Sequence, residues 1–365
     1  VANEEHFGLM IRSILSRGTL AGLLTLVCGH SARAQTDRVK LYSEPKTLVG
    51  SVDSASKNEI VVSAQSGVRT IPVSDVESIV FGSVPVNMEK AQVALAKGDY
   101  KTAADDVSEV APTDIARGIP RAELAYIKAL CPAKIALSGQ AESADAAADA
   151  RAAGAGMVAF LKAYPESYHY FEANEIIGDL LISLGQYEKA EEYYKVLGEA
   201  ASPAIKARAN LLRGRAMQIQ GKYDSALEAY DFVLKTALTG KVGEQETIEA
   251  KIGRTYSLTS SGKVDEALKI IQEIIAKADD DDTELLARAY DALGNCYRKL
   301  KDSKQALLAY LRVDTVYPTV PEAHAEALAN LVVLWGEAKH PERAREARDK
   351  LRERYPYSHW NKQIH

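Results

Sequence analysis

The stretch ARANLLRGRAMQIQGKYDSALEAYDFVLKTA, residues 207–237, reads as two helices joined by a tight turn. Gly214 in the first helix and Ala226 in the second allow two antiparallel helices to meet closely. A larger residue at that crossing would overpack it by about 1–3 kcal/mol. Gly221, just before the second helix, supplies the turn. Tyr230 and Leu234 fill the space toward a following hairpin. A single hairpin of this kind cannot bury its own apolar face, so the stretch implies a stack of copies.

The copies are present on both sides. A tyrosine-like position followed three residues later by alanine occurs at Tyr100-Ala103, Tyr187-Ala190 and Tyr223-Ala226, then in looser form at Val264-Ala267, Ser303-Ala306 and Pro341-Ala344. The last five alanines are 36, 41, 39 and 38 residues apart. About 12 residues earlier runs a glycine series, Gly178, Gly214 and Gly294, with Gly253 offset by a two-residue loop insertion. Tyr164-Pro165, Tyr317-Pro318 and Tyr355-Pro356 close units, proline stopping the second helix. Units fall near 84–112, 119–165, 171–200, 207–237, 247–278, 287–318 and 325–357, which makes six to seven hairpins.

These residues resemble the tetratricopeptide-repeat family. Unit 207–237 carries the small residue, glycines, tyrosines and alanine in register; unit 287–318 adds Leu293, Gly294, Tyr297, Ala306, Tyr310 and Pro318. Departures are Ala91 and Val332 in place of glycine and a stretched second unit. The resemblance covers about 84–357 and implies an all-α helical-hairpin solenoid whose first helices line a concave groove. It further implies that a partner is read by the residue after each repeat glycine and the one three before that glycine. Here these are Asp179 with Glu175, Arg215 with Leu211, Arg254 with Ala250, and Asn295 with Asp291. Members that clamp a peptide C-terminus use asparagine with lysine or arginine. Only Asn295 fits, and its companion Asp291 has the wrong sign, so that clamp is not carried over. The groove candidates Glu175, Asp179, Arg215, Arg254, Asp291 and Asn295 run from acidic to basic to mixed, as recognition patterning or as a solvated face.

Residues 35–83 have another texture. Five β-rich runs, 37–42, 46–53, 58–64, 68–73 and 77–81, alternate with turn residues and suggest a small all-β SH3-like or Sm-like barrel, with Gly50 permitting a sharp bend. Ahead of them, Arg12 and Arg17 precede the apolar run Gly18–Gly29 and the small-x-small site Ala32-Arg33-Ala34. That order is a secretory signal peptide over 1–34, with Met10 as the expected start and 1–9 a mis-start. The apolar run is too short to span a bilayer, which needs roughly 20 residues. Cleavage is expected to leave Gln35 first. Cys28 lacks the small preceding residue of a lipidation site, and Cys131 and Cys296 read as core side chains.

Composition excludes several functions. The 365 residues are 47% apolar and carry a net charge of −5, with no basic surface excess for nucleic acid. The seven histidines form no metal pattern, and no CxxC, GxSxG or phosphate-binding glycine loop occurs. Asp279–Asp282 lacks the glycine and glutamate of a calcium loop and reads as a solvated turn with Asp282 or Thr283 capping the next helix. Glu342–Arg354, dense in both signs, reads as a solvated helix face. No catalytic, metal or cofactor site is expected. Tyr164–Ser167 and Tyr355–Ser358 look like the YP-x-S stretches of bacterial envelope repeat proteins. The reading is therefore an exported, extracytoplasmic protein-protein adaptor with an unnamed protein or peptide partner. Rival readings are an enzyme or accessory subunit with a scattered site, and a structural protein that stacks into a homo-oligomer.

Overall fold

The computed structural model of the protein describes residues 36–138, 145–356, 358–362 and 364. The signal-peptide reading of 1–34 lies outside them. Five strands come first: β1 (Asp37–Leu41), β2 (Leu48–Ala55), β3 (Glu59–Ala64), β4 (Gly67–Pro72) and β5 (Val76–Val80). All neighbours are antiparallel, in the order β4-β3-β2-β1-β5. Among the described residues no ladder joins β4 to β5, so the expected closed barrel is an open sheet. Its apolar face is not folded onto itself. Val39, Leu41, Val52, Ile60 and Phe81 instead share a core with Tyr168, from the helical region. Gly50 serves a closer purpose than a bend: a Cβ there would meet the Ser63 carbonyl oxygen at 2.3 Å, so glycine is what lets β3 pair with β2.

Fourteen α-helices follow among the described residues, in seven hairpins: α1 (Val86–Leu95) with α2 (Tyr100–Ser108), α3 (Gly118–Leu137) with α4 (Ala146–Ala163), α5 (Tyr170–Ser183) with α6 (Tyr187–Leu197), α7 (Pro203–Ile219) with α8 (Tyr223–Lys235), α9 (Gly240–Ser260) with α10 (Val264–Lys277), α11 (Thr283–Lys299) with α12 (Ser303–Val316), and α13 (Pro321–Glu337) with α14 (Pro341–Arg354). None is long and apolar enough to cross a membrane. Asp99, Asp145, Asp282 and Asp302 cap helix starts, each accepting a backbone N–H at 2.9–3.1 Å.

The turn inside a hairpin demands one left-handed residue. Gly185 (φ 71°) and Gly221 (φ 74°) supply it in the middle of the stack. In the last two hairpins Lys301 (φ 62°) and Lys339 (φ 61°) stand there, at a cost of roughly 1 kcal/mol each. What closes over the repeat glycine is a tyrosine ring of its own hairpin, not the alanine that the sequence pairs with it. A Cβ on Gly178, Gly214 or Gly294 would come within 2.2, 2.7 or 2.6 Å of the ring of Tyr194, Tyr230 or Tyr310. First helices of successive hairpins touch one another (α3 with α5, α7 with α9, α9 with α11, α11 with α13), and no two second helices touch as extensively, so the first helices form the inner face. Cys131 and Cys296 are buried and free, as expected of core side chains.

Candidate binding groove

The inner face is not an open trough at its N-terminal end. The sheet stands across it, and between the sheet and helices α3, α5, α7 and α9 lies a cavity of about 800 Å³. Lys40, Tyr42 and Glu77 line it from β1, the turn after it and β5; Tyr126, Glu175 and Glu246 line it from the helices. The sheet is held in place by a buried joint. Asp37, 1% exposed, accepts from both terminal nitrogens of Arg117, at 2.8 and 2.6 Å, and from the backbone N–H groups of Val52 and Gly82. The Phe81 N–H donates to the Gln92 amide oxygen of α1 at 2.8 Å. Tyr168, inside the sheet's core, donates its hydroxyl to Glu123 of α3.

Beside Tyr168 sits His169. Its ring is stacked on Tyr126 at 3.5 Å between centroids, and its two nitrogens meet Glu123 at 2.9 Å and Glu172 at 3.0 Å. Burial opposes the imidazolium, but the two carboxylates together outweigh it and hold the His169 pKa up at about 9. A fixed cation thus sits in the cavity wall with both its hydrogen bonds committed.

The residues expected to face a partner divide sharply. Glu175 lines the cavity and accepts two hydrogen bonds from Arg208 of α7, at 3.0 and 2.6 Å. Arg215 lies farther along the same face, bonded to Glu249 of α9. Arg208 and Arg288 approach the same carboxylate at 3.7 and 3.9 Å. An ion-pair ladder therefore crosses the groove between successive first helices. Asp179 accepts from the Tyr194 hydroxyl at 2.7 Å, and burial, with Glu175 adding to it, raises its pKa.

Arg254 does not join them. It donates to Asp231 of α8 at 2.9 Å and to Glu266 of α10 at 2.7 Å, tying second helices together. The two-residue offset of Gly253 is the cause. Counting 12 back from Ala267 reaches Thr255, so the position matching Arg215 is Tyr256. Tyr256 does reach across the inner face, its hydroxyl 3.3 Å from Glu326 of α13. Asn295 donates to Glu326 at 2.7 Å and accepts from Tyr310 at 2.9 Å. Asp291 is 1% exposed with neither carboxyl oxygen hydrogen-bonded; burial, with Glu326 and Glu322 nearby, pushes its pKa well up and favours the neutral form. Sequence reasoning missed Arg208, Glu246, Glu249 and the His169 group. Arg208 and Glu172 each lie six residues before a repeat glycine, a spacing that marks the inner face.

The tetratricopeptide repeat model matches residues 171–195 and 287–319, the third and sixth hairpins. Those two hairpins carry the repeat's sequence pattern. Among solved structures, a tetratricopeptide repeat protein from Parabacteroides merdae ATCC 43184 is similar over 76% of this chain and 95% of its own, at 17% identity and a TM-score of 0.57. The apo form of RapI is similar over 74% and 96%, at 13% identity and a TM-score of 0.54. NprR in complex with its cognate peptide NprX is similar over 76% and 80%, at 14% identity and a TM-score of 0.52. These likenesses concern the fold. No curated protein matches the chain in sequence.

Proposed function

We propose that the protein is a non-catalytic interaction scaffold that seats an extended segment of a partner protein between its sheet and the inner face of its repeats. The cavity of about 800 Å³ carries this reading. It has the size of a specific ligand site, is walled by two structural units rather than one, and presents aromatic rings beside mixed charges. The NprR structure, of similar fold, holds a peptide. The small sheet finds a purpose here, since it converts one end of an open trough into a bounded seat. An extracytoplasmic, cell-envelope setting is part of the proposal and rests on the signal-peptide pattern in 10–34. N-terminal sequencing of the exported protein should begin at Gln35; retention of 10–34 on a cytoplasmic protein would remove that part.

The scaffold reading is tested by placing a photoreactive residue at Tyr42, 54% exposed in the cavity wall, or at Phe232, 44% exposed on the second helix α8. Irradiation in an envelope extract should give discrete adducts from position 42 and none from 232. The reverse pattern would move the binding surface to the outer helices.

A further inference from the structure

The carboxylates lining the cavity are nearly all matched by cations of the protein itself. Glu77 is paired with Lys40 at 2.6 Å. Glu123 and Glu172 hold His169. Glu175 is bonded by Arg208, and Glu249 by Arg215. Glu246 is different. It stands on α9, one turn before Glu249, and is 7% exposed; its Oε2 is buried without a hydrogen-bond partner. Arg208 is close enough to attract it but directs its donors to Glu175. Lys134, the remaining cation of the wall among the described residues, acts on Glu172 and Asp179 instead.

A desolvated carboxyl without donors is an unfavourable feature that an incoming donor would relieve. Burial pushes the Glu246 pKa up to about 7, Glu175 and Glu249 adding to it against the pull of Arg208. A cation placed at Oε2 supplies the missing hydrogen bond and offsets the repulsion from those two neighbours. An acidic group there would add a third like charge.

Resting on the reading of the cavity as a peptide seat, we infer that Glu246 anchors a basic side chain, lysine or arginine, of the partner segment. The cavity is larger than one such side chain, so the segment's backbone lies along the wall. The aliphatic stem of the basic residue passes over apolar surface from Ile205 and Leu197 while its head reaches Glu246.

The experiment uses three fluorescein-labelled octapeptides of alternating glycine with lysine, acetyl-lysine or glutamate, titrated by anisotropy into the full chain at physiological salt. The lysine peptide should bind at least about tenfold more tightly than either of the others, a difference of about 1.4 kcal/mol. Glu246→Gln, which keeps the shape, should remove that preference. Glu228→Gln, an exposed acid on α8, should leave it intact. Equal loss in both variants, or full retention in Glu246→Gln, would overturn the assignment. A preference for the glutamate peptide that ignores Glu246→Gln would overturn it too while leaving the peptide seat standing. Failure of all three peptides, together with no adducts from position 42, would remove both.

Discussion

Hairpins α7–α8 and α9–α10 are consecutive and solve one packing problem in two ways. In the first, Tyr230 of α8 lies on Gly214 of its own hairpin. In the second, the equivalent pair is Thr255 and Ile271, both fully buried. The glycine of α9, Gly253, points back instead: a Cβ there would fall 2.4 Å from the ring of Tyr230. One tyrosine therefore fills two notches, on successive first helices. A glycine in a repeat marks a close approach, but it does not say which neighbour approaches. Two residues along an α-helix is about 200° of rotation. That rotation carries Arg254 away from the inner face and brings Tyr256 onto it.

The shared tyrosine gives the largest expected effect. Gly214→Val and Gly253→Val should each destabilise the chain by about 3 kcal/mol, because ring atoms already occupy the space a side chain needs. Tyr230→Leu should restore part of the loss in both variants, and the restoration should appear as coupling in double-mutant cycles. Gly178→Val, which meets Tyr194, should not be restored. Urea midpoints measured across the set decide the matter. Rescue confined to Gly214→Val would mean that Gly253 does not face Tyr230.

The two hairpins also differ in how they hold charge. Arg215 of α7 meets Glu249 as a cation on a carboxyl group, whereas Tyr256 of α9 brings only a hydroxyl to Glu326, whose pKa burial raises to about 7. Because the folded chain binds that proton more tightly than the unfolded chain does, the contribution is fully present below about pH 4.5 and lost as pH rises through about 7. Between pH 5 and 8 Glu326 should remove on the order of 2 kcal/mol of stability. His169, protonated up to about 9, contributes in the same direction toward the top of that window. Glu326→Gln should therefore flatten the decline without abolishing it. A variant whose stability falls with pH as steeply as the wild type's would show that Glu326 is ionised throughout.

The repeat region was legible because its signal is local and recurs: a small residue, a turn glycine and an alanine at fixed offsets, each dictated by contacts within one hairpin. The strands were placed within a residue or two for the same reason, through alternation. Closure of the sheet was not legible, since it depends on what covers the apolar face, and Tyr168 comes from 87 residues beyond Phe81. The groove was read only in part. Glu175 and Arg215 follow the repeat register and lie on the inner face, but their partners Arg208 and Glu249 belong to other hairpins. Glu246 carried no signal at all, because a missing partner is a property of the folded neighbourhood and not of a spacing.

The smallest expected effect is the one that separates the two arginines. Arg254 is tied to Asp231 and Glu266, which are 40% and 49% exposed, and pairs of that kind contribute about 1 kcal/mol or less. Arg254→Ala should thus shift stability slightly and leave binding of a lysine-bearing peptide unchanged, since neither carboxylate lies in the cavity wall. Arg215→Ala acts on the other side of the helix stack. It strips Glu249, 10% exposed, of its hydrogen-bonded cation and leaves Arg208 and Arg288 at 3.7 and 3.9 Å. The wall next to Glu246 becomes more negative, so the lysine peptide should bind a few times more tightly and the glutamate peptide more weakly still. The gain should shrink as salt is raised, because it comes from charge rather than a new contact. Identical binding by the two alanine variants would mean that Arg215 and Arg254 face the partner equally, and the rotated register of α9 would have to be abandoned.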